Sequence, residues 1–118
     1  MPSSKEEQEF VEYVVDLMQS IGPVCAKGMF GGYGIFMDGL MFALVDDCTL
    51  YFKADEETEN EFTSRDLDAF AYYKGDKQFN LSYFEAPDEV LEDDDEMKRW
   101  ASQAYEVALR AAAKKAGK

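Results

Sequence analysis

Apolar residues near the start of the chain recur with the period of an α-helix. Five of them share one helix face: Phe10, Val14, Leu17, Met18 and Ile21. Ser4 and Glu7 have the spacing of a capping box at the start of this helix. Gly22-Pro23 then supplies a stop signal. The pattern predicts an amphipathic first helix that ends near residue 21.

From residue 24 to residue 53 the pattern changes to short apolar runs separated by turn residues. The runs 33–37 and 40–45 flank Asp38-Gly39, which is the favoured loop of a two-residue hairpin because both positions tolerate positive φ. Residues 50–53 follow as a further strand after a turn signal at Asp46-Asp47. The pattern predicts an antiparallel meander.

The second half of the chain predicts a short helix and another hairpin. The acidic segment 55–67 is typical of a short surface helix capped by Asp55. Residues 70–73 and 79–84 flank turn residues 74–77. In the last strand three apolar residues alternate with a mostly polar set, Phe79, Leu81 and Tyr83 against Asn80, Ser82 and Phe84.

Pro87 opens a helical turn, and a long helix over residues 94–113 closes the chain. Six residues share its apolar face: Met97, Trp100, Ala101, Ala104, Ala108 and Ala111. The acidic run 93–96 at its start and Lys114-Lys115 at its end complement the helix dipole, so we interpret the acidic run as capping.

These elements predict an α+β fold with two layers. An antiparallel sheet, built from the meander and the hairpin, carries the N- and C-terminal helices packed on it. With 118 residues, 47% of them hydrophobic, the chain can bury an ordinary core. No internal repeat or linker is visible, so residues 1–118 are expected to form one domain.

The net charge of −13 argues against direct contact with nucleic acid or anionic membranes, because such a surface repels phosphate. The basic residues do not form a patch; the densest groups are Lys98-Arg99 and the tail Lys114, Lys115 and Lys118. Neither a secretion signal nor a membrane span is visible. We therefore expect a cytoplasmic protein.

The two cysteines, Cys25 and Cys48, lie in strand-like apolar segments, so we expect them to be buried and reduced rather than reactive. The chain contains no histidine, which removes most metal sites and most nucleophile–base pairs. We expect no cofactor, no metal and no enzymatic activity. The remaining acids, Glu56, Glu57, Glu59 and Glu61, are typical of a solvated helix face.

The glycine-rich stretch 29–34 differs from a phosphate-binding loop. A phosphate-binding loop is followed directly by the N-terminus of a helix, whereas these glycines are followed by the apolar strand 33–37. Glycines of a tight turn or bulge between strands explain the stretch better.

Aromatic side chains provide the candidate binding residues. Tyr72, Tyr73, Tyr83 and Phe84 lie in one hairpin, where they serve either core packing or an exposed binding face. A pocket between sheet and closing helix would lie near Tyr33, Tyr83 and Trp100. The candidate interaction or pocket residues are therefore Tyr33, Tyr83, Phe84 and Trp100.

Several sequence blocks resemble the TfoX (Sxy) N-terminal domain family. They occur in the family's order over roughly residues 10–113: 29–36, 38–44, 50–53, 70–73, 81–91 and 100–101. The resemblance implies an α+β domain similar to secretion-chaperone-like folds. The family's best-known members are bacterial regulators of DNA competence that act as coactivators beside a cyclic-AMP receptor protein. The resemblance supplies no catalytic or ligand-binding residues.

Full-length competence regulators carry a second, C-terminal helical domain, whereas this sequence ends shortly after the closing helix. The resemblance together with Met1 and the lysine-rich end leads us to expect a stand-alone member.

We expect a non-enzymatic regulatory domain that binds a protein partner, in or near transcription control, with a homodimer as one form of such docking. The alternative is a small-molecule sensor with a pocket between the sheet and the closing helix.

Overall fold

The computed structural model describes residues 5–29 and 32–116. At residues 29, 72–74, 78–81 and 116 it describes the backbone but not the side chains. The helical period of the first segment produces helix α1, Lys5–Met18, followed by a 3-10 turn, Gln19–Ile21. Val11, Val14 and Met18 are buried on its inner face. The predicted first helix is confirmed, and its capping residue Ser4 lies outside the described residues.

In the part of the chain that the structure describes, six antiparallel strands follow and form one sheet. Their bounds are β1 Val24–Met29, β2 Gly32–Met37, β3 Leu40–Asp46, β4 Thr49–Lys53, β5 Ala69–Lys74 and β6 Lys77–Glu85. Their order across the sheet is β1-β2-β3-β4-β6-β5, so β1 and β5 are the edges. The predicted meander and hairpin are both confirmed.

Two-residue turns join the central strands. Asp38 and Gly39 adopt φ values of 52° and 79° between β2 and β3, as the sequence predicts. Between β3 and β4 the turn residues are Asp47 and Cys48, with φ values of 53° and 58°. The second turn therefore lies one residue later than the predicted Asp46-Asp47 turn.

The helices of the second half are α2, Glu59–Thr63, and α3, Asp94–Ala116, with a 3-10 turn at Asp88–Leu91. Helix α2 is shorter than predicted. Asp93 caps α3, because its Oδ1 accepts hydrogen bonds from the amides of Asp95 and Glu96. In the described part of the chain, no helix combines the length and apolarity needed to cross a bilayer.

The core lies between the sheet and helices α1 and α3. Its largest fully buried side chains are Trp100, Phe42, Phe52, Phe62, Met18, Ile35 and Met97. The predicted α+β arrangement, with the terminal helices packed on an antiparallel sheet, is confirmed.

The expectation that both cysteines are buried was wrong. Cys25 and Cys48 are exposed. Cys25 alternates with the buried Val24 on the edge strand β1, and Cys48 occupies the outer corner of the β3–β4 turn. An apolar neighbourhood in sequence did not distinguish a strand interior from the strand's outer face or a turn.

Candidate functional site

Strand β6 places Tyr83 and Phe84 on opposite faces of the sheet. Phe84 packs against the core and stacks on Phe62, with ring centroids 5.4 Å apart. Tyr83 packs on the other face, beside Leu44 and Phe70. The predicted, mostly polar face of this strand, which includes Phe84, is therefore the one that meets the core at Phe84, and β6 packs an aromatic ring on each side of the sheet.

We call the apolar group on the face away from the helices the outer cluster. Its members are Leu44, Phe70 and Tyr83, with Met41 and Tyr51 packed against them. Phe70 lies on the edge strand β5, yet it shares a small hollow with Leu44 and Tyr33 on β3 and β2. Since neighbouring strands lie about 4.8 Å apart, the sheet must curl to bring these residues together. The hollow measures about 10 Å³, which is too small for a ligand larger than water.

Tyr83 has the environment of a structural side chain. It is 7% exposed, and its hydroxyl donates a weak hydrogen bond to the carbonyl of Met41 at 3.5 Å. Burial raises the pKa of Tyr83 to about 12. The ammonium of Lys53 lies 5.2 Å from the ring centroid, and burial lowers the pKa of Lys53 while Asp55 opposes this.

Trp100 is fully enclosed at the base of α3. Its ring packs edge-on against Phe62, and its indole nitrogen donates to Glu96 Oε1 at 3.3 Å. The guanidinium groups of Arg65 and Arg99 lie 5.2 and 4.6 Å from the ring centroid. With 1% of its surface exposed, the ring offers no face to a ligand.

Three of the four candidate residues pack on the core side of the sheet, and Tyr83 lies on the other face. Phe84 and Trp100 meet in the core through Phe62. Tyr33 is half-buried, pairs with Val45 and packs against the same core, although it also borders the hollow beside the outer cluster. The side chains of Tyr72 and Tyr73 lie outside the described residues.

A larger cleft lies between the end of β4 and the C-terminal half of α3, and we call it the α3 cleft. Its volume is about 410 Å³, and none of the four candidate residues lines it. Arg110 joins its walls, with Nε 3.0 Å from Asp55 Oδ2 and 3.5 Å from Glu57 Oε2. The sequence gives no signal for this cleft, because Asp55 and Arg110 come together only in the folded chain.

A second groove runs between α1 and the edge strand β1, and we call it the α1 groove. Val11, Val15 and Ala26 form its apolar floor, and Glu12 and Asp16 form its acidic rim. Its volume is about 360 Å³, and it is open to solvent. Gln19 closes one end, since its amide donates to the carbonyls of Val15 and Val24 at 3.1 and 3.0 Å.

Residues 16–108 match the family model described as the TfoX N-terminal domain. The chain belongs to this family. The matched residues run from the last turn of α1 to Ala108 in α3, so the TfoX N-terminal domain comprises the whole sheet and most of the core.

The TfoX domain is also similar to a curated relative, the DNA transformation protein TfoX1 of Aliivibrio fischeri. The two are 29% identical over 79 residues, which cover 67% of this chain and 36% of the relative. The chain thus spans about a third of the relative's length.

The reactive groups of this TfoX domain include carboxylate and thiol side chains. Within the ranges 5–29 and 32–116, no three or more cysteine or carboxylate side chains are grouped so as to hold a metal ion. Partial desolvation, followed by the charges of Glu7, Glu6 and Asp47, raises the pKa of the Cys48 thiol and makes it a weaker nucleophile at neutral pH.

Proposed function

We propose that this chain is a regulatory domain of natural DNA transformation that works by binding a protein partner. The match to the TfoX N-terminal domain carries this proposal, and the name of the Aliivibrio fischeri relative supports the link to transformation. The proposal extends to this chain the role in DNA transformation that the relative's name gives to the whole relative.

The distribution of charge favours a protein partner over nucleic acid. Arg65, Arg99 and Arg110 are engaged by carboxylates of Glu89, Glu61 and Asp55, at 2.7, 3.7 and 2.9 Å. These neighbouring carboxylates lower the positive potential around the guanidinium groups, and the net charge of −13 opposes approach to a polynucleotide.

The absence of histidine from the sequence also favours a binding role, since a catalyst would depend on carboxylate, thiol, lysine or tyrosine groups alone. Two of these groups are poorly suited to proton transfer or attack at neutral pH, because the pKa values of Tyr83 and Cys48 are raised.

Deletion of the gene in its own bacterial host tests the proposal. We expect the frequency of transformation by marked DNA, and the transcription of DNA-uptake genes, to fall, and the wild-type chain supplied in trans to restore both. The purified chain alone should not retard competence-promoter DNA at low salt. Unchanged transformation and transcription in the deletion strain would refute the role, and tight DNA binding by the chain alone would refute the proposed mode of action.

A further inference from the structure

The edge strand β1 presents unpaired backbone groups next to the α1 groove. Val24 accepts a hydrogen bond from the Gln19 side chain, so its carbonyl points away from β2. The N–H and C=O of one strand residue point the same way, and the direction alternates along the strand. The backbone groups of Ala26 and Gly28 therefore also point outward. In the described part of the chain no hydrogen bond reaches them from outside the ladder.

The groove beside this edge combines apolar and acidic surface. Val11 is buried in its floor, Val15 and Ala26 are half-buried, and the rim residues Glu12 and Asp16 are exposed. Neither rim carboxylate has an ion-pair partner within residues 5–29 and 32–116. An edge strand next to such a groove can be extended by another strand, whose alternate side chains would lie over the groove.

We propose that the β1 edge and the α1 groove bind an extended, cationic segment of a partner protein as a seventh strand of the sheet. The segment's main chain hydrogen-bonds to Ala26 and Gly28. Of its side chains on the α1 side, small apolar ones cover the floor, and lysine or arginine side chains reach Glu12 and Asp16. This inference rests on the proposed protein-binding role and names where and what the domain binds.

Charge distinguishes such a segment from a second copy of the chain. Edge-to-edge pairing of two β1 strands would bring two copies of Glu12 and Asp16 to one interface, between protomers that each carry a net charge of −13. A cationic strand meets attraction at the same place. Six residues of β1, Val24–Met29, set the length of the site at about 20 Å.

The probe is a capped eight-residue peptide in which lysine and valine alternate at every second position and threonine fills the positions between them, so that both lysine and valine lie on one face of the strand. It is titrated into the ¹⁵N-labelled chain at low salt. We expect its amide shift changes to concentrate on Val24–Met29 and on the groove side of α1, and its affinity to fall as salt rises. The same peptide with N-methyl groups on alternate residues keeps the charge but loses the edge hydrogen bonds. That peptide, and one with glutamate in place of lysine, should bind at least about tenfold more weakly.

Two variants test the two parts of the site. Ala26→Pro removes an outward amide without removing a ladder hydrogen bond, and Glu12→Lys with Asp16→Lys reverses the rim. Each change should lower the affinity for the lysine–valine peptide by about tenfold or more. The matched control, Glu56→Lys with Asp76→Lys, makes the same charge change at exposed positions outside the groove and should stay within about twofold.

Equal binding by the N-methylated peptide, shift changes away from β1, or no binding would overturn the docking site even if Ala26→Pro failed to fold. If the chain formed a dimer that Ala26→Pro abolished, the β1 edge would pair with a second copy of the chain, and the proposed partner segment would be refuted. The peptide assay is independent of transformation. Loss of transformation without peptide binding refutes the site alone, and peptide binding without a transformation defect refutes the role alone.

Discussion

Arg110 on α3 holds Asp55 with two nitrogens on one carboxylate oxygen, at 2.9 Å from Nη2 and 3.0 Å from Nε. Asp55 in turn accepts a hydrogen bond from the amide of Glu57 at 3.1 Å. This pair ties the end of the closing helix to the loop that follows β4. It is the best-formed ion pair in the α3 cleft.

Asp55→Asn should lower the free energy of unfolding at pH 7 by about 1 kcal/mol or less, because the pair is partly exposed. Partial desolvation acts to raise the pKa of Asp55, but the hydrogen bond and charge of Arg110 outweigh it, and the net shift is downward from 3.8. The stabilisation is therefore present above pH 3.8 and is lost as the pH falls through the lower pKa of the folded state. Urea unfolding across this range should show the variant and the wild type converging in acid.

Glu61→Gln is the control for this measurement. Its partner Arg99 lies 3.7 Å away, and the two side chains are 45% and 50% exposed. We expect almost no change in stability. If both variants lost the same free energy of unfolding, the loss would come from the removal of one negative charge, which both variants share, and not from the contact between Asp55 and Arg110.

Tyr83 should make the fold sensitive to alkali. Because burial raises its pKa to about 12, the folded state keeps the phenol proton at a pH where the unfolded chain, with a pKa near 10, has released it. Its contribution is complete below pH 10 and is lost as the pH rises towards 12, by roughly 2–3 kcal/mol. Tyr83→Phe should reduce this loss in urea unfolding measured between pH 9 and 12. A variant that loses as much stability in alkali as the wild type would contradict the role assigned to Tyr83.

Gly32 should tolerate no side chain. A Cβ there would lie 2.2 Å from the carbonyl oxygen of Val45, a backbone atom of the neighbouring strand. We expect Gly32→Ala to cost about 2 kcal/mol or more, through displacement of β2 from β3. Gly28→Ala is the matched control, since its Cβ would meet nothing closer than 3.9 Å, and it should be neutral or slightly stabilising. Thermal unfolding compares the two, and equal stability of both variants would refute the close approach.

Cys48 should react in the folded state but slowly. The thiol is exposed, yet desolvation and the carboxylates of Glu7, Glu6 and Asp47 raise its pKa. In a Cys25→Ser background we expect a disulfide reagent at pH 8 to label it more slowly than it labels the urea-unfolded chain. Glu7→Gln should speed the folded-state reaction severalfold. Complete protection of Cys48 would show that the turn buries it.

The hairpins were predictable because their signals are local. Asp38-Gly39 selects a turn by its own backbone preferences, and the period of α1 selects a buried face without reference to any other element. The TfoX N-terminal domain could be recognised for the same reason, since its sequence blocks keep their order along the chain.

What was missed depends on how strands come together. The alternation along β6 does not show which face meets the helices: Phe84 packs on that side, and Tyr83 is buried on the other face, where the sheet curls towards Phe70. The α3 cleft depends on Arg110 and Asp55, which lie half the chain apart. None of these relationships is encoded in a residue's immediate neighbours, so periodicity alone cannot reveal them.

The two-residue turns between β2, β3 and β4 have a consequence for synthesis on the ribosome. These strands can pair as soon as they emerge, because each pairing closes only a very short loop. Strand β4 then waits for its other neighbour, since Tyr83, Phe84 and Glu85 of β6 reach it only after α2 and β5 have been made. Until that moment the nascent chain carries an open aromatic strand edge at Tyr51 and Phe52, and such an edge is prone to aggregation.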